Sequence, residues 1–218
     1  MSAKALGLAV GLVFTLLAES SCSGQSVQKS SPASEAAQAE PPPDSLKKDG
    51  LTYGDRQAWR KVLKWPQSCE SLFGYPDKSF AGLRFFDLGR QSYLVQVTCE
   101  LGAYQGTYVF FIWNEAELPP NAKLLRFTYY ESSGNPASGR PSLRKRETTQ
   151  LEGTPQFDPG TKQLEVVFKY RGRGDCGILY AYSFAPQTEA RLVDTRAKLA
   201  CDGKGPLSPK EWKEVIPG

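Results

Sequence analysis

The 218-residue chain carries 27 Lys and Arg against 23 Asp and Glu, a formal charge of +4, and no histidine. So small an excess does not argue for nucleic acid, which calls for a clustered stripe of Lys and Arg. The absence of histidine excludes Ser-His-Asp and Cys-His nucleophile arrangements, His metal ligands and His as general base. A site built from carboxylates, Lys or Tyr remains open, so the balance leans away from an enzyme.

Lys4 is the only charge before an apolar run from Ala5 to Ala18. The run is shorter than the roughly 20 residues a helix needs to cross a bilayer. A short apolar core behind a positive charge and ahead of small residues reads as a secretory signal. Ser20-Ser21-Cys22 fits a lipoprotein cleavage site, with Cys22 as the lipidated residue, although Glu19 stands where that motif takes an aliphatic. Ordinary cleavage after Ser20 is the alternative. The sequence from Ser23 to Gly50 is rich in Ser, Ala, Gln, Glu and Pro, as a solvated tether should be. The expected organisation is a signal peptide over 1–21, a disordered tether over 22–50 and a single β-rich domain over 51–218. Two or more acyl chains hold a protein stably on a membrane.

Past the tether, Asp55 to Leu63 reads as a short helix, capped by Asp55 and bearing Trp59, Val62 and Leu63 at helical spacing. Tyr93, Val95, Val97 and Cys99 then alternate with polar residues, which predicts a strand with one face in a core and the other in water. Thr107 to Trp113 is apolar on both sides and suits a central strand. Leu164 to Tyr170 and Ile178 to Phe184 alternate again. Turn signals fall at Pro119-Pro120, at Asp158-Pro159-Gly160 and at Ala185-Pro186. Ser132 to Pro141 reads as the longest loop, dividing the sheet into two halves. Ser208-Pro209 opens a last short helix, with Ser208 as its cap. The count is about eight strands in antiparallel meanders. That predicts an all-β sandwich or bent barrel with short helices near each end.

Setting Cys22 aside leaves Cys69, Cys99, Cys176 and Cys201, an even number suited to disulfides in an oxidising compartment. Three pairings are possible. The sequential one, Cys69 with Cys99 and Cys176 with Cys201, keeps each bridge within one half of the sheet. Each would close a loop of roughly 25 to 31 residues, worth about 3.5 kcal/mol in the chain-entropy model. With no CxxC and no histidine, no metal site is expected, and no cofactor is implied.

The stretch Arg171-Gly172-Arg173-Gly174-Asp175-Cys176-Gly177 leads into alternating aromatics, then Arg191-Leu192-Val193 and Cys201. With Val97-Thr98-Cys99-Glu100-Leu101-Gly102-Ala103-Tyr104 and Trp212, it resembles a bacterial envelope family known as domain of unknown function 1176. The resemblance implies a secreted or periplasmic domain and no particular activity. Here the aromatic strand carries Tyr180 and Tyr182 where that family usually has Trp.

Two surfaces are candidate contacts. Gly102 to Gly106 joins two core strands, where Tyr104 and Gln105 would be presented on a loop. Arg140, Arg144, Lys145 and Arg146 form a basic cluster at the end of the long loop, suited to anionic headgroups, an acidic glycan or a protein. Arg173-Gly174-Asp175 spells an adhesion tripeptide, but beside Cys176 its aspartate reads as a turn former. The expected function is a non-catalytic binding or shielding module of the cell envelope. Its partners would be the membrane, through an N-terminal lipid, and an envelope protein or glycan, with no nucleic acid. It would face the periplasm or exterior; a soluble periplasmic or secreted form is the alternative. The alternative functions are an inhibitor of an envelope-attacking enzyme and a His-independent cell-wall or glycan enzyme. The last would need two carboxyls about 5 to 9.5 Å apart in a cleft.

Overall fold

The computed structural model describes residues 46–74, 80–133, 142–185, 188–204 and 208–215. Cys22, the signal and most of the tether, and Arg140 lie outside the described residues. Within them the chain is mainly antiparallel β, as expected, but with eleven strands rather than about eight.

Helix α1 (Tyr53–Leu63) starts two residues before the expected point. Thr52 is its N-cap, and Asp55 is the third helical residue, completing a capping box with Thr52. The Asp55 carboxylate accepts from the Thr52 amide at 2.8 Å, which with the Thr52 side chain lowers its pKa. Lys64 ends the helix in the left-handed conformation. The buried stripe of α1 is Arg56, Trp59 and Leu63. A 3-10 helix follows at Gln67–Gly74.

The strands are β1 (Leu83–Gly89), β2 (Ser92–Leu101), β3 (Gly106–Asn114), β4 (Asn121–Leu124), β5 (Phe127–Ser133), β6 (Ser142–Thr148), β7 (Gln150–Asp158), β8 (Gln163–Lys169), β9 (Gly177–Ser183), β10 (Arg191–Lys198) and β11 (Lys213–Glu214). Nine of them form one open sheet in the order β1-β2-β3-β7-β8-β9-β10-β11, with β4 also on β3; β5 and β6 pair only with each other. The division into halves comes from β7, not from the segment 132–141. Gln150–Gly153 of β7 pair with β3, whereas Thr154–Asp158 pair with β8. The bend falls at Gly153, with φ +146, where a Cβ would lie 2.8 Å from Val166 Cγ1 and from the Val167 carbonyl oxygen. Only glycine lets the strand change partners there. Residues 134–141 of that expected loop lie outside the described residues; the strands on either side, β5 and β6, pair with Ser133 opposite Ser142.

Strands β2 and β3 are buried on both faces. On one face Val95, Val97, Val109, Phe111 and Trp113 pack against Trp59, Leu63 and Trp65. On the other, Leu94, Phe110 and Ile112 pack against Leu164, Val166 and Tyr182, with Phe127 of β5 fully buried among them. The expected water-facing side of β2 is therefore wrong: Gln96 and Thr98 are buried because the second half of the sheet folds over them. The molecule is sandwich-like, and the sheet does not close into a barrel. The tyrosine-bearing strand β9 is buried along its whole length.

Both disulfides follow the sequential pairing, Cys69–Cys99 and Cys176–Cys201. The first ties the 3-10 helix to the end of β2; the second ties the start of β9 to the segment after β10. Near the C-terminus Pro209–Glu211 forms the expected short helix, of 3-10 type. Ser208 makes no side-chain capping bond there, while Trp212 is buried.

Candidate functional site

The hairpin β5–β6 lies over the second half of the sheet without joining its ladder. Tyr180 and Tyr182, two residues apart on β9, donate their hydroxyls to the Tyr130 and Thr128 carbonyls at 2.7 and 2.9 Å. The two carbonyls are themselves two residues apart, so they leave β5 from one edge, and phenols replace the neighbouring strand that would otherwise satisfy them. Phe127 anchors the hairpin from below, edge-on to Tyr182 and to Phe110, with ring centroids 4.9 and 5.5 Å apart.

Between this hairpin and the sheet is a cleft of about 370 Å³. Tyr129 and Tyr130 of β5, Phe168 of β8, Tyr170 just beyond it and Tyr180 of β9 supply five rings, over apolar groups from Leu151 and Ile178. Glu131, Thr148, Gln150 and Glu152 supply the polar lining. The Tyr170 hydroxyl is buried without a hydrogen bond of good geometry, Ser132 being the side chain close enough to act on it. Burial pushes the Tyr170 phenol up in pKa, with Ser132 offsetting part of the rise. Burial likewise raises Tyr180, against the hydrogen bond to Tyr130, and Tyr182. All three are therefore neutral phenols at physiological pH.

The expected contact residues border this cleft in different ways. Gln105 is a bridge rather than a free contact: its amide donates to Glu152 at 2.7 Å and accepts from the Lys169 backbone at 2.9 Å. It thereby fixes the β2–β3 turn against β7 and β8. Tyr104 is 44% exposed, and its ring lies so close to Gly172 that a Cβ there would come within 3.3 Å of Cδ1. Leu101, 51% exposed, lies in the same turn. A smaller hollow at this turn shares Glu152 with the large cleft and adds Glu100 to its lining.

Arg144, Lys145 and Arg146 are exposed, but they belong to strand β6 and not to a loop. Strand alternation divides them between two faces. Arg144 stands opposite Glu131 in register, and Arg146 donates to Glu131 at 3.3 Å. The cluster is thus partly neutralised by β5.

Asp175 is fully buried, which removes the adhesion tripeptide as a binding element. Arg171 holds both its carboxylate oxygens, and the Gly203 amide donates to one at 3.0 Å. The Arg171 hydrogen bonds hold its carboxyl far below the usual range, against the cost of burial. Together with Cys176–Cys201 this closes the segment after β8 onto the end of β10.

A buried ionic site, not anticipated from the sequence, lies on the opposite face of β2. Arg56 is fully buried, pairs with Glu70 at 2.8 Å, and donates to the Cys69, Ala81 and Thr98 carbonyls. Its guanidinium also lies 5.0 Å from the Trp65 ring centre. These bonds make it a structural clamp joining α1, the 3-10 helix and the β1–β2 pair.

The cleft residues were missed because Tyr170 and Tyr180 continue alternating apolar patterns that read as core. The usable signal was Tyr129-Tyr130-Glu131, an aromatic and acidic run too polar for a central strand. Among the described residues, no group of three or more Cys, Asp or Glu could hold a metal ion. No described helix is long and apolar enough to cross a membrane. Neither a curated protein nor a solved structure matches the chain. A family model matches residues 13–216, nearly the whole chain, and the protein belongs to the family it describes, Protein of unknown function (DUF1176).

Proposed function

We propose that this protein is an exported binding module of the cell envelope, tethered through lipid on Cys22, that takes a small ligand between the β5–β6 hairpin and the sheet. The observation that carries the reading is the aromatic lining of the cleft of about 370 Å³ between the hairpin and the sheet. Export is supported by the short apolar N-terminal segment and by the two disulfides, which persist in oxidising compartments.

A binding role fits the cleft better than catalysis. Glu131 and Glu152 both line it, but each is already hydrogen-bonded, to Arg146 and Gln105. The carboxyls whose pKa is displaced, Asp55, Glu70, Asp158, Asp175 and Asp202, are all displaced downward. A glycan hydrolase needs one held up, as a proton donor. The inhibitor reading rests on Leu101 and Tyr104, exposed together at the β2–β3 turn. Stoichiometric inhibition of a lysozyme-like enzyme, lost in Tyr104→Ala, would establish it.

The cleft is tested by saturation-transfer NMR with a panel of neutral saccharides, amino acids and organic cations. Wild type is compared with Gln150→Trp, which places an indole at the cleft. Binding to wild type that disappears in Gln150→Trp, with an unchanged melting curve, supports the reading. No binding at millimolar ligand, or equal binding by both proteins, overturns it. The address is tested separately by intact mass from the native membrane fraction. A diacylglyceryl-modified chain beginning at Cys22 supports the tether, and an unmodified chain beginning near Ser21 refutes it.

A further inference from the structure

We infer that the cleft recognises an organic ammonium group, held against the half-buried rings of Tyr129, Phe168 and Tyr170 and drawn in chiefly by Glu152; this rests on the reading of the cleft as a binding site. The first observation is charge. In a chain of net charge +4, the residues lining the cleft include two carboxylates and no Lys or Arg. The adjoining hollow, lined by Glu100 and Glu152, again has no cation in its lining. Acidic groups therefore converge where the rest of the surface leans positive, and an anionic ligand would be repelled.

The second observation is the aromatic lining. Aromatic rings attract a cation through their negative faces, most strongly when it is desolvated. The phenols here are neutral, so they present rings without competing for protons. Phe168 and Tyr170 meet edge to face, with centroids 5.4 Å apart, so two ring planes bordering the cleft stand nearly perpendicular. A neutral alkyl group of the same shape would gain the burial but not the electrostatic attraction.

The cations of β6 offset part of the Glu131 charge and leave Glu152 as the main acidic group of the lining. Arg146 pairs with Glu131, but both side chains are about half exposed, and such a pair is weak and screened. Arg144 stands opposite Glu131 on the exposed hairpin. The Lys169 side chain runs beside Gly174, away from the lining. Glu152 accepts from the neutral amide of Gln105 and lines both the cleft and the adjoining hollow. The ligand contributes a cation of roughly trimethylammonium size, supplied either by a free solute or by a lipid headgroup.

The test compares choline with 3,3-dimethylbutan-1-ol, which has the same shape and no charge, by NMR titration of the folded domain. Choline should bind about tenfold more tightly. Glu152→Gln, which keeps an acceptor for Gln105, should remove most of that preference while leaving the alcohol unaffected. Gln150→Trp should abolish both. Phosphatidylcholine vesicles assign the source: co-sedimentation that free choline competes away indicates a headgroup, and binding of free choline alone indicates a solute. Equal affinity for choline and the alcohol overturns the inference, as does a preference unchanged in Glu152→Gln. Binding of N-acetylglucosamine in the cleft without choline overturns it too, yet preserves the cleft as a binding site. Failure of every probe to bind removes both.

Discussion

Replacing Arg56 with methionine, which keeps the length of the stem, should cost the fold about 4 kcal/mol. The guanidinium is fully buried, pairs with Glu70, and donates to four backbone carbonyls, of Cys69, Ala81, Gly82 and Thr98, drawn from three different segments. Removing one member of a buried pair leaves the other charge uncompensated, which costs about 3–5 kcal/mol. Glu70 would keep its bonds from Trp65 and Gln57, at 2.6 and 3.0 Å, which holds the figure below the top of that range. Arg56→Lys should recover little, because an ammonium cannot serve Glu70 and carbonyls in three diverging segments from one point. Urea denaturation would read the change. With a slope of about 2 kcal/mol per molar, the midpoint should fall by about 2 M. Removing Glu70 as well, in Arg56→Met/Glu70→Met, should cost less than the sum of the single changes. A midpoint shift below about 0.5 M, or strict additivity, would refute the reasoning. The pair also sets a pH dependence. Burial alone would raise the Glu70 pKa, but the bonds from Trp65 and Gln57 and the Arg56 charge hold it below its ordinary value. Glu70 therefore stabilises the fold above about pH 4.3, its unfolded value, and that contribution is lost as pH falls through the lower folded value. In Arg56→Met this acid dependence should shrink.

A Cβ on Gly177 would lie 2.0 Å from the Phe168 carbonyl oxygen, so Gly177→Ala should prevent folding or lower stability by more than about 3 kcal/mol. Gly89→Ala, with φ +88 and open space around it, should cost only about 1 kcal/mol of backbone strain, and thermal melts of the two variants should separate clearly. Tyr180→Phe removes the donor to the Tyr130 carbonyl and should cost about 1–2 kcal/mol. Hydrogen exchange in that variant should rise in β5 and β6 and stay unchanged in β2 and β3; a uniform rise would contradict the hairpin's separate attachment. Tyr170→Phe deletes a buried hydroxyl whose neighbour Ser132 makes no hydrogen bond of good geometry with it, so the ligand-free protein should gain up to about 1 kcal/mol in urea denaturation. A loss of stability would mean that the hydroxyl is satisfied in solution.

Period-2 patterns, turn residues and cysteine order made much of the architecture legible. Asp158-Pro159-Gly160 turns the chain between β7 and β8, with the Asp158 carboxylate accepting from the Gly160 amide and the Thr161 hydroxyl. The run from Thr107 to Trp113 is buried on both sides because its two faces meet two different cores. What failed was long-range partnership. Gln96 and Thr98 look solvent-facing by local pattern, and nothing nearby in sequence reveals that Leu164, Val166 and Tyr182 fold over that face. Arg56 occupies the position three residues before Trp59, on the buried stripe of α1; a charge on an apolar stripe was a readable sign of a buried pair, though its partner was not. The basic cluster was assigned to a loop because its Arg and Lys residues mask a strand whose pairing with β5 only the fold reveals.

The cleft itself follows from the unequal covers of the two halves of the sheet. Over the first half α1 and the 3-10 helix are bonded to the sheet by Arg56 and Cys69–Cys99, and Trp59 and Trp65 pack the space between. Over the second half of the sheet, at β8 and β9, the cover is the two-stranded ribbon β5–β6. Such a ribbon is too narrow to roof several strands and is marginal in stability by itself. Phe127 secures one end of it, and the tyrosine hydroxyls secure its edge, but the side chains beyond that edge, Phe168 and Tyr170, are only half covered. Filling the gap with a bulkier core would have required a third strand beside β5, where Tyr180 and Tyr182 already hold the carbonyls. The same two hydroxyls that attach the hairpin therefore keep the space beside it open, and that couples the stability of β5 and β6 to the shape of the proposed binding site.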